Sequence, residues 1–60
     1  MNNKKKVQLH SLDDGVRFSI EHDGEEFYYV KGDYCYQGCF SCVGQWGCDI
    51  DIDGRTWVTV

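Results

Sequence analysis

The sequence predicts an all-β domain, built as a small five-stranded barrel or a strongly bent antiparallel sheet around a cysteine-rich central loop. Three observations carry this. Apolar residues alternate with polar ones instead of recurring every three or four positions, the period of a strand with one buried face. The regular runs are rich in β-branched and aromatic residues, which suit a pleated surface. Seven glycines and no proline punctuate the chain, and two Asp-Gly dipeptides, Asp23-Gly24 and Asp53-Gly54, each separate two such runs.

Taken in order, Val7-Gln8-Leu9 reads as a first short strand, and Leu12-Asp13-Asp14-Gly15 as the turn into the second. In the second, Val16, Phe18 and Ile20 alternate with Arg17, Ser19 and Glu21. Asp23-Gly24 supplies the two positive-φ positions of a tight hairpin turn, and Phe27 to Val30 returns. Pairing across that turn sets Ile20 opposite Phe27 and Phe18 opposite Tyr29, which makes one face apolar. Tyr34-Cys35-Tyr36 reads as a short strand and Gln45-Trp46-Gly47 as the lead into the next one, with Tyr34–Tyr36 and Gln45–Asp49 the antiparallel pair that would bring the central segment's ends together. At the C-terminal end Cys48, Ile50 and Ile52 alternate with Asp49 and Asp51, and Asp53-Gly54 starts a second hairpin with Ile50 facing Trp57.

Sixty residues make a single domain, 1–60, with residues 1–6 as a mobile basic tail. A chain this short buries only about 60% of its unfolded surface, so its core needs reinforcement. Nine aromatic residues provide large buried areas at small entropy cost. Cys35, Cys39, Cys42 and Cys48 are all the cysteines of the chain, spaced Cys-x3-Cys-x2-Cys-x5-Cys. The two-residue gap of Cys39-Phe40-Ser41-Cys42 lets neighbouring thiolates take two corners of a tetrahedron, and structural zinc is the cofactor expected. Cys35 and Cys48 would then flank the base of the loop that carries the other two. Disulfides across short loops and four separate reduced thiols are the competing fates of the same residues. Four sulfurs leave no open coordination position, which argues against catalytic zinc.

The remaining motifs lack partners. Cys35-x3-Cys39-x2-Cys42 matches an iron–sulfur spacing whose chemistry requires a far larger barrel. Asp49-Ile50-Asp51-Ile52-Asp53-Gly54 opens like a calcium loop, but its twelfth position is Val60 instead of a bidentate glutamate. With no Ser/His/Asp set, phosphate-cradling loop or acid–base pair, the chain is not expected to be an enzyme.

Charge points to recognition. The formal charge is −4, yet Lys4, Lys5 and Lys6 fall in the tail, leaving Arg17, Lys31 and Arg55 against all ten acids, a formal −7. Such a body repels nucleic-acid backbone and suits a basic protein surface. Candidate contacts are the acidic hairpin tips, Glu21, Asp23, Glu25 and Glu26 with Asp49, Asp51 and Asp53, together with Tyr36, Phe40 and Trp46 of the cysteine loop. Neither a spanning apolar run nor a signal-length stretch after Lys6 is present, so no membrane partner and a cytoplasmic location are expected.

Leu9-x-x-Leu12-x-x-Gly15-x-x-Phe18, the Asp-Gly turn after it, the aromatic strand through Tyr29-Val30 and the terminal Asp53-Gly54 segment resemble small SH3-like barrel proteins common among bacteriophage-encoded short reading frames. The resemblance spans most of the chain. It implies a barrel that inhibits or modulates a host protein, in the host cytoplasm, and it implies no site residue. The functional expectation is an acidic protein-binding module stabilised by a four-cysteine zinc site. The alternatives are a zinc-ribbon-like nucleic-acid-binding module and a small structural or assembly protein.

Overall fold

A computed structural model describes residues 5–60. Six strands form one open antiparallel sheet: β1 Lys6–Gln8, β2 Arg17–His22, β3 Glu25–Tyr34, β4 Cys39–Gly44, β5 Asp49–Asp53 and β6 Trp57–Thr59. Their order is β1-β6-β2-β3-β4-β5. A single 3-10 turn, Leu9–Ser11, follows β1. The all-β expectation holds, with six strands where five were expected and with two open edges, β1 and β5, in place of a closed barrel.

The first hairpin forms as its sequence dictates. Asp23 and Gly24 both take positive φ, 53° and 80°, the pair of left-handed residues that matches the twist of the flanking strands. The register places Phe18 against Tyr29 and Ile20 against Phe27. The Phe18 and Tyr29 rings stack at 5.6 Å.

Asp53-Gly54 does something else. Gly54 is absent from the positive-φ residues, and Asp53 turns the chain with its side chain: Oδ1 accepts the Arg55 N–H at 2.8 Å, while the Asp53 carbonyl accepts the Thr56 N–H at 3.0 Å. The Gly54 N–H donates to the Gly38 carbonyl at 2.8 Å, and the Gly54 carbonyl accepts from the His10 N–H at 2.8 Å. This corner carries β6 away from β5 to lie between β1 and β2. Ile50 therefore faces Cys42, and Trp57 faces Gln8, correcting the expected Ile50–Trp57 pair.

The expected pairing of Tyr34–Tyr36 with the Gln45 segment is also replaced. The cysteine segment is mostly strand: β4 runs between β3 and β5, with Tyr34 opposite Phe40 and Lys31 opposite Cys42. Three steps along β3 match two along β4, so β3 carries one extra residue, a β-bulge. Gly32 sits in it because a Cβ there would overlap the Ser41 carbonyl oxygen.

One face of the curled sheet encloses the core. Leu9, Phe18, Cys42, Ile52 and Val58 are buried, with Val7, Leu12, Ile20, Tyr29 and Phe40 packed around them. Lys31 joins this core at 4% exposure. Its Nζ donates to Asp14 Oδ1 at 2.8 Å and lies 4.1 Å from the centroid of the Phe40 ring. Lys5, expected in the mobile tail, exchanges backbone hydrogen bonds of 3.1 and 2.9 Å with Val60, and Lys6 opens β1. Residues 1–4 of that tail lie outside the described residues.

Two outcomes follow from this packing. Gly32→Ala forces a methyl into backbone and should lower unfolding free energy by about 1–3 kcal/mol, a large share of the roughly 3–9 kcal/mol open to a domain this size; urea denaturation followed by tryptophan fluorescence measures it. The Lys31 hydrogen bond, and next its charge, hold the Asp14 carboxyl below its ordinary value; Arg55 does the same for Asp53. A depressed folded-state pKa gives stability that is complete above the unfolded value and is lost as pH falls through the folded one. The melting temperature should thus be flat from neutral pH to about pH 5 and drop below about pH 4. Asp14→Asn should start lower at neutral pH and lose less on acidification; an unchanged acid profile in this variant would contradict the assignment.

Candidate functional site: the acidic outer face and the cysteine positions

Strand parity decides what the outer face carries. Because Phe40, Cys42, Ile50 and Ile52 share the inner side, Cys39, Ser41 and Val43 on β4 and Asp49, Asp51 and Asp53 on β5 point outward. The three aspartates form one row along the sheet edge. Asp49 and Asp51 are exposed; Asp53 is half-buried and meets Arg55 through Oδ2 at 3.3 Å. The row is a strand, not the opening of a calcium loop.

The hairpin tip adds a second acidic group. Glu21 lies directly across from Glu26, and His22 across from Glu25. Like charges face to face repel, and two hydroxyls lessen this: Ser19 Oγ donates to Glu26 Oε2 at 3.3 Å and Tyr28 Oη to Glu26 Oε1 at 3.2 Å. Asp23, exposed at the turn, lies 3.5 Å from His22 Nε2. Sequence reading placed Glu21–Glu26 at a hairpin tip, as found, and Asp49–Asp53 at a second tip, where the structure has an edge strand instead; it missed the hydroxyls, whose alternation signal was that of ordinary strand residues.

The aromatic candidates separate. Phe40 packs in the core, edge-on to Tyr34 at 5.5 Å and closing over Gly54, where an added Cβ would lie 2.7 Å from its ring. Tyr36 is exposed. Trp46 is 61% exposed while its ring leans on Phe27 at 5.5 Å and on Tyr29 at 6.5 Å, capping one end of the inner face. Of the three, Tyr36 and Trp46 offer surface.

The cysteines fall at four different kinds of place. Residues three apart in a strand point to opposite sides, so Cys39 faces out and Cys42 is buried in the core. The bulge at Gly32 switches the parity of β3 and turns Cys35 outward, where its Sγ donates to Asp51 Oδ1 at 3.6 Å. Cys48 is exposed, and its carbonyl closes the β4–β5 turn by accepting the Gly44 N–H at 2.9 Å. All four are free thiols. Desolvation, and then the Asp51 carboxylate, push the Cys35 thiol up; burial pushes up that of Cys42. Among the described residues no set of three or more His, Cys, Asp or Glu side chains gathers round a point able to hold a metal ion. Four thiolates would close a tetrahedral zinc shell, but with Cys39 and Cys42 on opposite faces this arrangement does not bring them round one ion.

No protein-family profile matches the chain, and neither curated proteins nor solved structures give a significant match. No helix among the described residues is long and apolar enough to cross a membrane.

The thiol positions predict an order of reaction. With iodoacetamide under native conditions, read by mass spectrometry of peptides, Cys48 should be modified first and Cys42 last, by a factor on the order of a hundred, because a buried thiol reacts only through opening of the fold. A chelator should leave that order unchanged. Protection of all four thiols that only the chelator relieves would instead demonstrate a common metal.

Proposed function

We propose that this domain binds a protein partner through its acidic outer face, engaging a basic surface. The observation that carries the reading is the row Asp49, Asp51, Asp53 on one exposed side of an edge strand, with the Glu21–Glu26 tip on the same sheet. Among the described residues the cations are Lys5 and Lys6 at the opposite edge, Arg17 on β2, Arg55 at the corner and Lys31, which is buried. A surface of this sign steers basic partners and disfavours phosphate backbones. Tyr36 would add apolar contact area, whereas Trp46, which leans on the inner-face rings Phe27 and Tyr29, does not belong to this outer surface. The resemblance to phage-type small barrels supports a role as an inhibitor or modulator of a host protein, acting by occupying a basic surface. Structural zinc, raised by the cysteine spacing, would belong to a form in which β4 gives up its place between β3 and β5; an excess of about 63 Da in a native mass spectrum reads it directly.

Fluorescence anisotropy tests the charge reading with three labelled probes: an arginine-rich peptide, a glutamate-rich peptide and a single-stranded oligonucleotide. The arginine-rich peptide should bind at low salt and weaken as salt rises, and neutralising Asp49, Asp51 and Asp53 to asparagine should weaken it on the order of tenfold. Oligonucleotide binding that is lost when Lys4–Lys6 are neutralised, with no peptide binding, would overturn the proposal in favour of a nucleic-acid module.

A further inference from the structure

The edge strand β5 offers more than charge. In an antiparallel ladder each residue directs both backbone groups to the same neighbour, and alternate residues face opposite sides. Two bonds fix the phase here: the Gly44 N–H reaches the Cys48 carbonyl at 2.9 Å, and the Gly54 N–H reaches the Gly38 carbonyl at 2.8 Å. Counting inward from both ends with the observed register, Ile50 and Ile52 bond to Cys42 and Phe40 of β4. The N–H and C=O of Asp49 and Asp51 therefore point away from β4. On that side the sheet ends. Asp49, Ile50 and Asp51 are all exposed, Ile50 at 46% despite its place on the core face.

We propose that β5 accepts one extended strand of the partner, added antiparallel to Asp49–Asp51, with basic and apolar side chains in alternation. The inference rests on the acidic-face reading above and specifies its geometry. Partner residues bonded to Asp49 and Asp51 stand beside those carboxylates on the outer face, where Lys or Arg is favoured. The residue between them lies on the inner face beside Ile50, extending the row Lys31, Cys42, Ile50 and covering apolar surface left open. A second copy presenting its own β5 would set aspartate against aspartate, so the alternation selects a basic strand over self-pairing. Among the described residues, the short opposite edge, Lys6–Gln8, is the basic strand the chain itself could offer.

Peptides separate strand addition from simple attraction. The first probe alternates arginine with valine; the second has the same composition with arginines and valines in two blocks; the third is the first with N-methyl groups on the amides that would face Asp49 and Asp51. The alternating peptide should bind tightest, each of the others weaker by about fivefold or more, as loss of one or two net backbone hydrogen bonds implies. Hydrogen exchange should slow at the Asp49 and Asp51 amides with the alternating peptide alone. Asp49→Lys with Asp51→Lys should transfer the preference to an alternating glutamate–valine peptide. Equal binding of all three peptides, without amide protection, would overturn strand addition and leave the acidic-face reading standing. Failure of every basic peptide at low salt would overturn both. Sedimentation showing that free protein self-associates through Lys6–Gln8, lost in Lys6→Glu, would assign the edge to a second copy and overturn the proposal.

Discussion

The one-residue slip between β3 and β4 is the constraint on which the rest of the molecule depends. Before it, Lys31 stands opposite Cys42 with both side chains inward; after it, Tyr34 stands opposite Phe40 and Cys35 has swung outward. A bulge also bends its strand and increases the local twist. Gly38, just before β4, meets Gly54 in continuation of the β4–β5 register, and Gly54 meets His10 from the turn after β1. These three backbone segments can crowd together because Gly54 carries no Cβ, which would strike the Phe40 ring and press on His10 and the Gly38 carbonyl; at the bulge, Gly32 likewise leaves room for the Ser41 carbonyl. Two close backbone approaches in this sheet thus depend on the absence of a Cβ at Gly32 and Gly54.

The same curl encloses an ammonium group. Lys31 lies across the core with Phe40 against its charged end and the exposed Asp14 closing it from solvent. A buried cation stabilises little by itself, since desolvation consumes most of the attraction, but removal of its partner would leave the charge uncompensated. Its backbone bonds add a geometric role: the Lys31 N–H donates to Val16 and its carbonyl accepts from Gly15, at 3.0 and 2.7 Å. Side chain and main chain together tie the Asp13–Val16 turn to the middle of β3. A larger domain could replace this tie with apolar packing; with five buried apolar side chains, this one draws on a charge.

Two of the Asp-Gly dipeptides, Asp23-Gly24 and Asp53-Gly54, show what was legible in the sequence. Asp23-Gly24 joins strands that need only each other, so local turn chemistry settles the hairpin and its register, and both were readable. Asp53-Gly54 has the same residues, but the strand that follows is drawn elsewhere by burial of Val58 between β1 and β2, and the dipeptide becomes a corner. That choice is set by non-local packing, which no short window contains. The cysteine reading failed to foresee the geometry for a related reason. A two-residue gap brings thiolates together in a loop and sends them to opposite faces in a strand, and the Gly-rich context of Cys39–Cys42 concealed that the segment is a central strand. Lys31 was counted as surface charge because lysine on an exposed face is the common case. The Glu21–Glu26 tip and the alternation of Asp49 and Asp51 depend only on turn position and strand parity and were readable; that β5 would stand at the sheet edge was not.

Edge strands must avoid promiscuous pairing, and inward charge, bulges, short length or rows of like charge serve that end. Asp49, Asp51 and Asp53 supply such a row on β5, while β1 at the other edge is only three residues long. Protection by like charge differs from protection by shortness in one respect. A short edge refuses every strand alike, whereas a charged edge refuses strands of its own sign and leaves its hydrogen-bonding groups intact for the opposite sign. Proline would have closed β5 altogether, and the chain contains none. The exposed Ile50 adds a second condition, since only a strand with an apolar residue between its charges covers it. The physics that keeps β5 from joining its own kind is therefore the physics that would define its partner.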